Sequence, residues 1–391
     1  MALLVKPNVK VDSIELKKDE NSPDSSKKIL NTWGSVFPLI KVNEYVLNIG
    51  EVNSFELVIA PNCLPSFVLV LDDSTYDIRE NLKESVDKCV IFIGYKNWYI
   101  KFNGIINKTF SDAGDSEITL FGELYNEALY HDTQQAYKEK SVEDILKDVA
   151  QKTNMGLFTT NNKSLGQKLS YCVNSNNRYI DFFDIMIKRY TDNIWCIDPH
   201  YHFHVANIEE LFKKRFDKYT LNGLGETIPE TDIVITSNPH YPAKDEEAES
   251  KKIRLDYYSI DTNFSRMFVD SASEYYLNKK LIDSDKTIGI GSKAVNTFTG
   301  FDKQKFPFYA QRVNKQMGGT LIKVELKNLI FEITPFSIVN LEIYLPKRGD
   351  KPIRLDEEHS GKKIVIGYSY KFNKPDEETP LASITQTLNL I

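Results

Sequence analysis

The strongest constraint in this 391-residue sequence is an alternation at period two that occurs twice, once in the first third and once at the end. In the first block Phe102, Gly104, Ile106, Lys108 and Phe110 share one parity, and after a short loop Ile118, Leu120 and Leu124 alternate again. In the second, Ile364, Ile366, Tyr368, Tyr370 and Phe372 share a parity, and past a loop with proline and acids come Ile384, Leu388 and Leu390. Successive side chains on a strand point to opposite faces. A parity kept this long therefore specifies a half-buried antiparallel strand and its register. The local wording matches as well, Ser116-Glu117-Ile118-Thr119-Leu120 against Ala382-Ser383-Ile384-Thr385-Gln386. Two related β units in one chain would let three copies present six similar surfaces, the arithmetic of a ring. Short alternating strands also resemble one another by chance, and the residues alone leave both readings open.

Composition narrows the function classes. Hydrophobic residues at 41% and charged residues at 27% describe a globular chain with enough apolar material for a core, and the 21 Tyr and 22 Phe favour strands. A net charge of -6 argues against a nucleic-acid binder that works by neutralising phosphates, and suits a surface that nucleic acid slides past. Cys63, Cys89, Cys172 and Cys196 have no C-x-x-C spacing and lie in or beside apolar runs, so buried free thiols are expected rather than zinc or disulfides. The first eleven residues lack the apolar stretch of a secretory signal, and no run is long enough to span a bilayer; folding in a cytoplasm is the expectation.

Along the chain, residues 1–32 read as an arm, mobile over 17–28 where charge, Ser and Pro mix without an apolar period, with order resuming near Trp33. Residues 33–132 read as an all-β domain, a small barrel or sandwich with strands at 39–42, 45–49, 55–59, 67–71, 90–93, 98–110 and 117–124. Residues 133–310 form an α+β middle, sharing strands with the last domain around 215–250. Ser141 caps a helix with Asp144 at its third position and a stripe of Val142, Ile145, Leu146 and Val149. A second helix covers 180–190, with Phe182, Phe183, Ile185 and Met186 inward and Lys188 and Arg189 at the end where cations suit the dipole. A hairpin over 193–206 turns at Asp198-Pro199, and a further helix is expected at 308–316. Residues 311–391 return to β.

Candidate sites are few. His200, His202 and His204 sit at period two, as a metal site built on one strand would place them. Same-face neighbours on a strand are about 7 Å apart, too far to share one zinc without a second strand, and Tyr201, Phe203 and Val205 already supply a buried side. A solvated histidine face is the expectation. Gly289-Ile290-Gly291-Ser292-Lys293 lacks P-loop spacing, and the acids of 245–249 lack calcium-loop spacing. Tyr99, Tyr368 and Tyr370 could stack on sugars, but the last two lie on the apolar parity and are assigned to the core. No catalytic, cofactor-binding or metal-binding residue is assigned, and no enzyme is expected.

In this order, the pieces resemble the central baseplate hub of contractile phage tails, a family that includes the N-terminal part of siphophage tail-associated lysins and of type VI secretion spike proteins. The resemblance runs from about Phe37 to Ile391. It is carried by the 98–124 strands with Gly104 inside, by the cassette from Ser141 through Gly156, Tyr179–Tyr190 and Ile194–Asp198, and by the closing strands from Gly361. It implies two tube-like antiparallel β-barrel or sandwich domains bracketing the helical segment, in a homotrimer whose pseudo-sixfold ring docks a hexameric tail tube protein on one side and a trimeric central spike or tail-tip protein on the other. Other baseplate proteins would be neighbours, DNA would pass only in transit, and no stable membrane association is implied. The setting would be the virion, assembled in the host cytoplasm. The sequence departs from some relatives in ending at the closing strands, so no cell-wall hydrolysis is expected of it. The alternatives are a carbohydrate or metal-dependent hydrolase using the His200/His202/His204 face, and a sugar-binding adhesin.

Overall fold

The computed structural model describes residues 37–261 and 320–391, less short interruptions, of which the longest is 238–250. The expected arm at 1–32, the acidic run at 245–249, the glycine turn at 289–293 and the helix at 308–316 lie outside the described residues.

The first module is built from β1 (Phe37–Val42), β2 (Tyr45–Val46), β3 (Val52–Ile59), β4 (Ser66–Asp72), a short helix α1 (Asp77–Asn81), β5 (Lys88–Tyr95), β6 (Trp98–Phe110) and β7 (Glu117–Leu124). Its ladders are antiparallel, in the order β3-β4-β7-β6-β5-β1-β2. Alternation sets the faces: Phe55, Leu57 and Ile59 on β3, Phe67, Leu69 and Leu71 on β4, and Ile118, Leu120 and Leu124 on β7 are all buried. The strand glycine expected at 104 has a packing cause. A Cβ at Gly104 or at Gly122 on the adjacent strand would run into the ring of Phe67, which lies over both.

The parity of β6 does not survive its full length. The ladder with β7 shifts between Ile106 and Lys108, and beyond that bulge Phe110, expected inside, is 54% exposed. A bulge inserts one residue and sends the following side chains to the other face.

The middle adds β8 (Asp132–Ser141), α2 (Val142–Lys152), β9 (Gly156–Thr160), β10 (Lys168–Arg178), α3 (Tyr179–Tyr190), β11 (Ile194–Ile197), β12 (His202–Ala206), α4 (Ile208–Lys213), β13 (Tyr219–Asn222) and β14 (Thr227–Ile228). β8 and β10 pair as a two-stranded ribbon, and the remaining strands form a sheet in the order β11-β12-β9-β13-β14, with β12 and β9 parallel. The Ser141 cap of α2 is present: its hydroxyl accepts from the Asp144 N–H at 3.0 Å, and the Asp144 carboxylate accepts from Ser141 in return. On α3 the expected inward residues are buried, but Lys188 is buried too, paired with Asp184 at 2.6 Å, while the Trp195 indole donates to the other Asp184 oxygen at 2.8 Å.

The last strands are β15 (Ile233–Thr236), β16 (Lys251–Arg254), β17 (Tyr257–Asp261), β18 (Leu321–Leu326), β19 (Ile338–Glu342), the small pair β20 (Tyr344–Leu345) and β21 (Arg354–Leu355), then β22 (Gly361–Asn373) and β23 (Ser383–Leu390). Apart from the separate β20–β21 pair, they do not form a sheet of their own. One edge of β22 is taken by β23, and the opposite edge is divided: β19 pairs with Gly361–Ile364, and β3 of the first module pairs with Tyr368–Asn373. A single 14-stranded sheet results.

The division falls at a bulge, where Val365 and Gly367 are opposed by consecutive residues Leu390 and Asn389. It also breaks the expected nine-residue parity. Ile364 and Ile366 enter an apolar cluster with Ile194, Cys196, Ala206 and Ile391, whereas Val365, Tyr368, Tyr370 and Phe372 belong to the main core.

Candidate functional site

The expected histidine face lies on the β11–β12 hairpin, whose register pairs Cys196 with His204 and Ile197 with Phe203. Asp198 organises the turn. Its Oδ1 accepts the backbone N–H of His200 and of His202, each at 2.9 Å, which is the bonding that makes aspartate a turn residue. Tyr201 completes the turn in the left-handed region at φ 64°, and Asn103 on β6 donates to its hydroxyl at 2.6 Å, tying the hairpin to the first module.

The second carboxylate oxygen faces the imidazoles. Oδ2 of Asp198 lies 3.0 Å from Nδ1 of His202 and 2.9 Å from Nε2 of His204. His200 is not on the strand; it sits in the turn, its ring centre 6.4 Å from that of His202. The solvated-face expectation is therefore corrected: His204 is 3% exposed and His202 only partly so. The cause is β9, which lies beside β12 with Gly156 opposite His202 and Phe158 opposite His204. Phe158 stacks on His204 at 5.0 Å and meets His202 edge-on at 5.1 Å, while a Cβ at Gly156 would strike the His202 ring. On β12, His204 and its neighbours Phe203 and Val205 are all buried, so alternation no longer separates core from solvent.

Burial alone would raise the Asp198 carboxyl, but the hydrogen bonds from His202 and His204 more than reverse this and hold it well below the usual carboxylate range. Burial lowers His200, against the opposing charge of Asp198. The same charge, second to burial, helps push the Tyr370 hydroxyl up; Cys196, opposite His204 on the hairpin, places its Sγ 3.6 Å from the Ile366 carbonyl of β22.

Sequence reasoning used Asp198 only as a turn residue. The signal for more was the spacing of His202 and His204, four and six residues beyond it. Tyr368 and Tyr370 are buried, as expected from their parity. The side chain of Tyr99 lies outside the described part. All four cysteines are free and three are buried, Cys63 being the exposed exception. No helix among the described residues is long and apolar enough to cross a membrane.

No protein-family model matches the chain, and no curated protein matches it. Among solved structures it is similar to the 43 kDa tail protein of prophage MuSo2 from Shewanella oneidensis, with 9% identity, coverage of 91% of this chain and 98% of that one, and a TM-score of 0.51. It is also similar to the tail protein from Neisseria meningitidis MC58, with 10% identity, coverage of 91% and 96%, and a TM-score of 0.49. The chain thus shares the fold of a prophage tail protein, mainly β with helices in its middle, as the resemblance in its sequence implies.

Proposed function

We propose that this protein is a non-enzymatic structural component of a phage-type tail. It acts as a trimeric hub whose pseudo-sixfold ring joins a hexameric tail tube to a trimeric central spike, among other baseplate or tail-tip proteins, and lets DNA pass. It is assembled in the host cytoplasm and carried in the virion. The observation that carries the reading is the divided edge of β22, which sets the first and last β modules side by side in one sheet. A threefold object meets a sixfold one without strain only if each subunit offers two near-equivalent surfaces, and a chain with two adjoining β modules has the means to offer them. The shared fold with a prophage tail protein supports the same reading. The buried state of Tyr368 and Tyr370 removes two side chains from a sugar-binding alternative.

Light scattering on the purified chain, with negative-stain images of the particles, tests the proposal. Trimers with six similar lobes are expected, at interfaces burying more than about 2,000 Å². A stable monomer at high concentration that binds no spike would overturn it. Hydrolysis of a glycan or ester substrate lost on His204→Ala, or glycan-array binding lost on Tyr99→Ala, would favour the hydrolase or the adhesin instead.

A further inference from the structure

The geometry points to a binding site for one first-row divalent transition-metal ion, of the zinc class, on Asp198, His202 and His204. This departs from the sequence-based expectation of no metal and stands independently of the tail reading. One potential ligand atom from each residue lies within 4.8 Å of the other two, and both imidazole nitrogens already stand 3.0 Å or less from the same carboxylate oxygen. Metal bonds of about 2.0–2.2 Å in a tetrahedral arrangement place ligand atoms about 3.3 Å apart, so the ion needs the two Asp198 edges to open by a few tenths of an ångström and the imidazole ligand atoms, which lie within 4.8 Å of each other, to close to that spacing.

One further observation favours a cation. Asp198 is 1% exposed, and among the described residues its carboxylate is met by the backbone N–H groups of His200 and His202 and by the two imidazoles, with no lysine or arginine beside it to supply a fixed positive charge. Two nitrogens with one oxygen suit zinc and its neighbours, and disfavour calcium and magnesium, which select all-oxygen sites. His202, at 24% side-chain exposure, is the way in. The ligands come from a tight turn and the strand that follows, beside β22, so the ion would staple the hairpin where the middle segment meets the splice between the β modules.

The test uses the full chain without a histidine tag, stripped with chelator, equilibrated with micromolar Zn²⁺ and dialysed before metal analysis. Stoichiometric zinc is expected in the wild type, with affinity falling roughly tenfold or more in His202→Gln and in Asp198→Asn. His359→Ala, which alters a separate histidine paired with Asp356 at 2.9 Å, is expected to retain the zinc. Zinc should raise the melting temperature of the wild type and not of His202→Gln. Should either ligand variant fail to fold, the Co²⁺ spectrum of the wild type decides: intense tetrahedral bands support the site, and an aqueous octahedral spectrum overturns it. Absence of retained zinc in the wild type, or equal retention in a folded His202→Gln, also overturns it.

Discussion

A Cβ built on Gly367 would stand 2.6 Å from the carbonyl oxygen of Ile59, two residues 308 positions apart in the chain. Gly367 is the residue at which the edge of β22 passes from β19 to β3, and Ile59 ends the strand that takes it over. The absence of a side chain there lets two backbones meet. The joint between the first and last modules depends on that approach.

Gly367→Ala sets a methyl group against backbone, which cannot give way as the end of a flexible side chain would. We expect a loss of about 2 kcal/mol or more in urea denaturation. Gly166→Ala, where the nearest heavy atom to an added Cβ is 3.7 Å away, should be close to neutral. Equal midpoints for the two variants would contradict the account.

Gln386 is fully buried on β23 and spans one residue of the adjoining loop: its Oε1 accepts from the Ile330 N–H at 2.7 Å and its Nε2 donates to the Ile330 carbonyl at 3.3 Å. Gln386→Leu keeps the volume and leaves both backbone groups without their partner. A cost of about 2–4 kcal/mol is expected, with faster hydrogen exchange at the Ile330 amide.

Ser141→Ala removes the hydroxyl that caps α2 and should cost about 1 kcal/mol, read as a lower denaturation midpoint. Ser141→Asp retains an acceptor at the cap and should recover most of the loss.

Asp148 on α2 accepts from the Tyr137 hydroxyl at 2.7 Å and the Gln135 amide at 3.0 Å on β8, and pairs with Lys152 at 2.8 Å. Burial opposes its charge, but the bonds from Lys152 and Tyr137 outweigh it and its carboxyl is lowered in the folded state. Its contribution to stability is therefore complete above the unfolded value of about pH 4 and is lost as the pH falls through the folded value. Denaturation midpoints measured from pH 6 down to 3 should fall less steeply in Asp148→Asn than in the wild type.

Much of the local structure was legible in the sequence. Ser141 and Asp144 announced α2 and its cap, the apolar stripe of α3 was evident, the hairpin closed at Asp198, and alternation located β6, β7, β22 and β23. These depend on contacts within a few residues, and side-chain identity reports them directly. The β8–β10 ribbon was not legible, because β8 is Asp132-Thr133-Gln134-Gln135-Ala136 and onward, largely polar and exposed, with little apolar alternation to read.

What the sequence by itself determined was which segments extend, which coil and where they turn. Only the tertiary structure decided that Phe110 faces out, that Ile364 and Ile366 face a different core from Tyr368, that β22 gives half of one edge to β3, and that Asp198, His202 and His204 converge. The physical reason is the same in each case. Strand partners are chosen by backbone N–H and C=O groups that every residue except proline carries alike, and a bulge or a covering strand such as β9 reassigns faces without altering the local pattern.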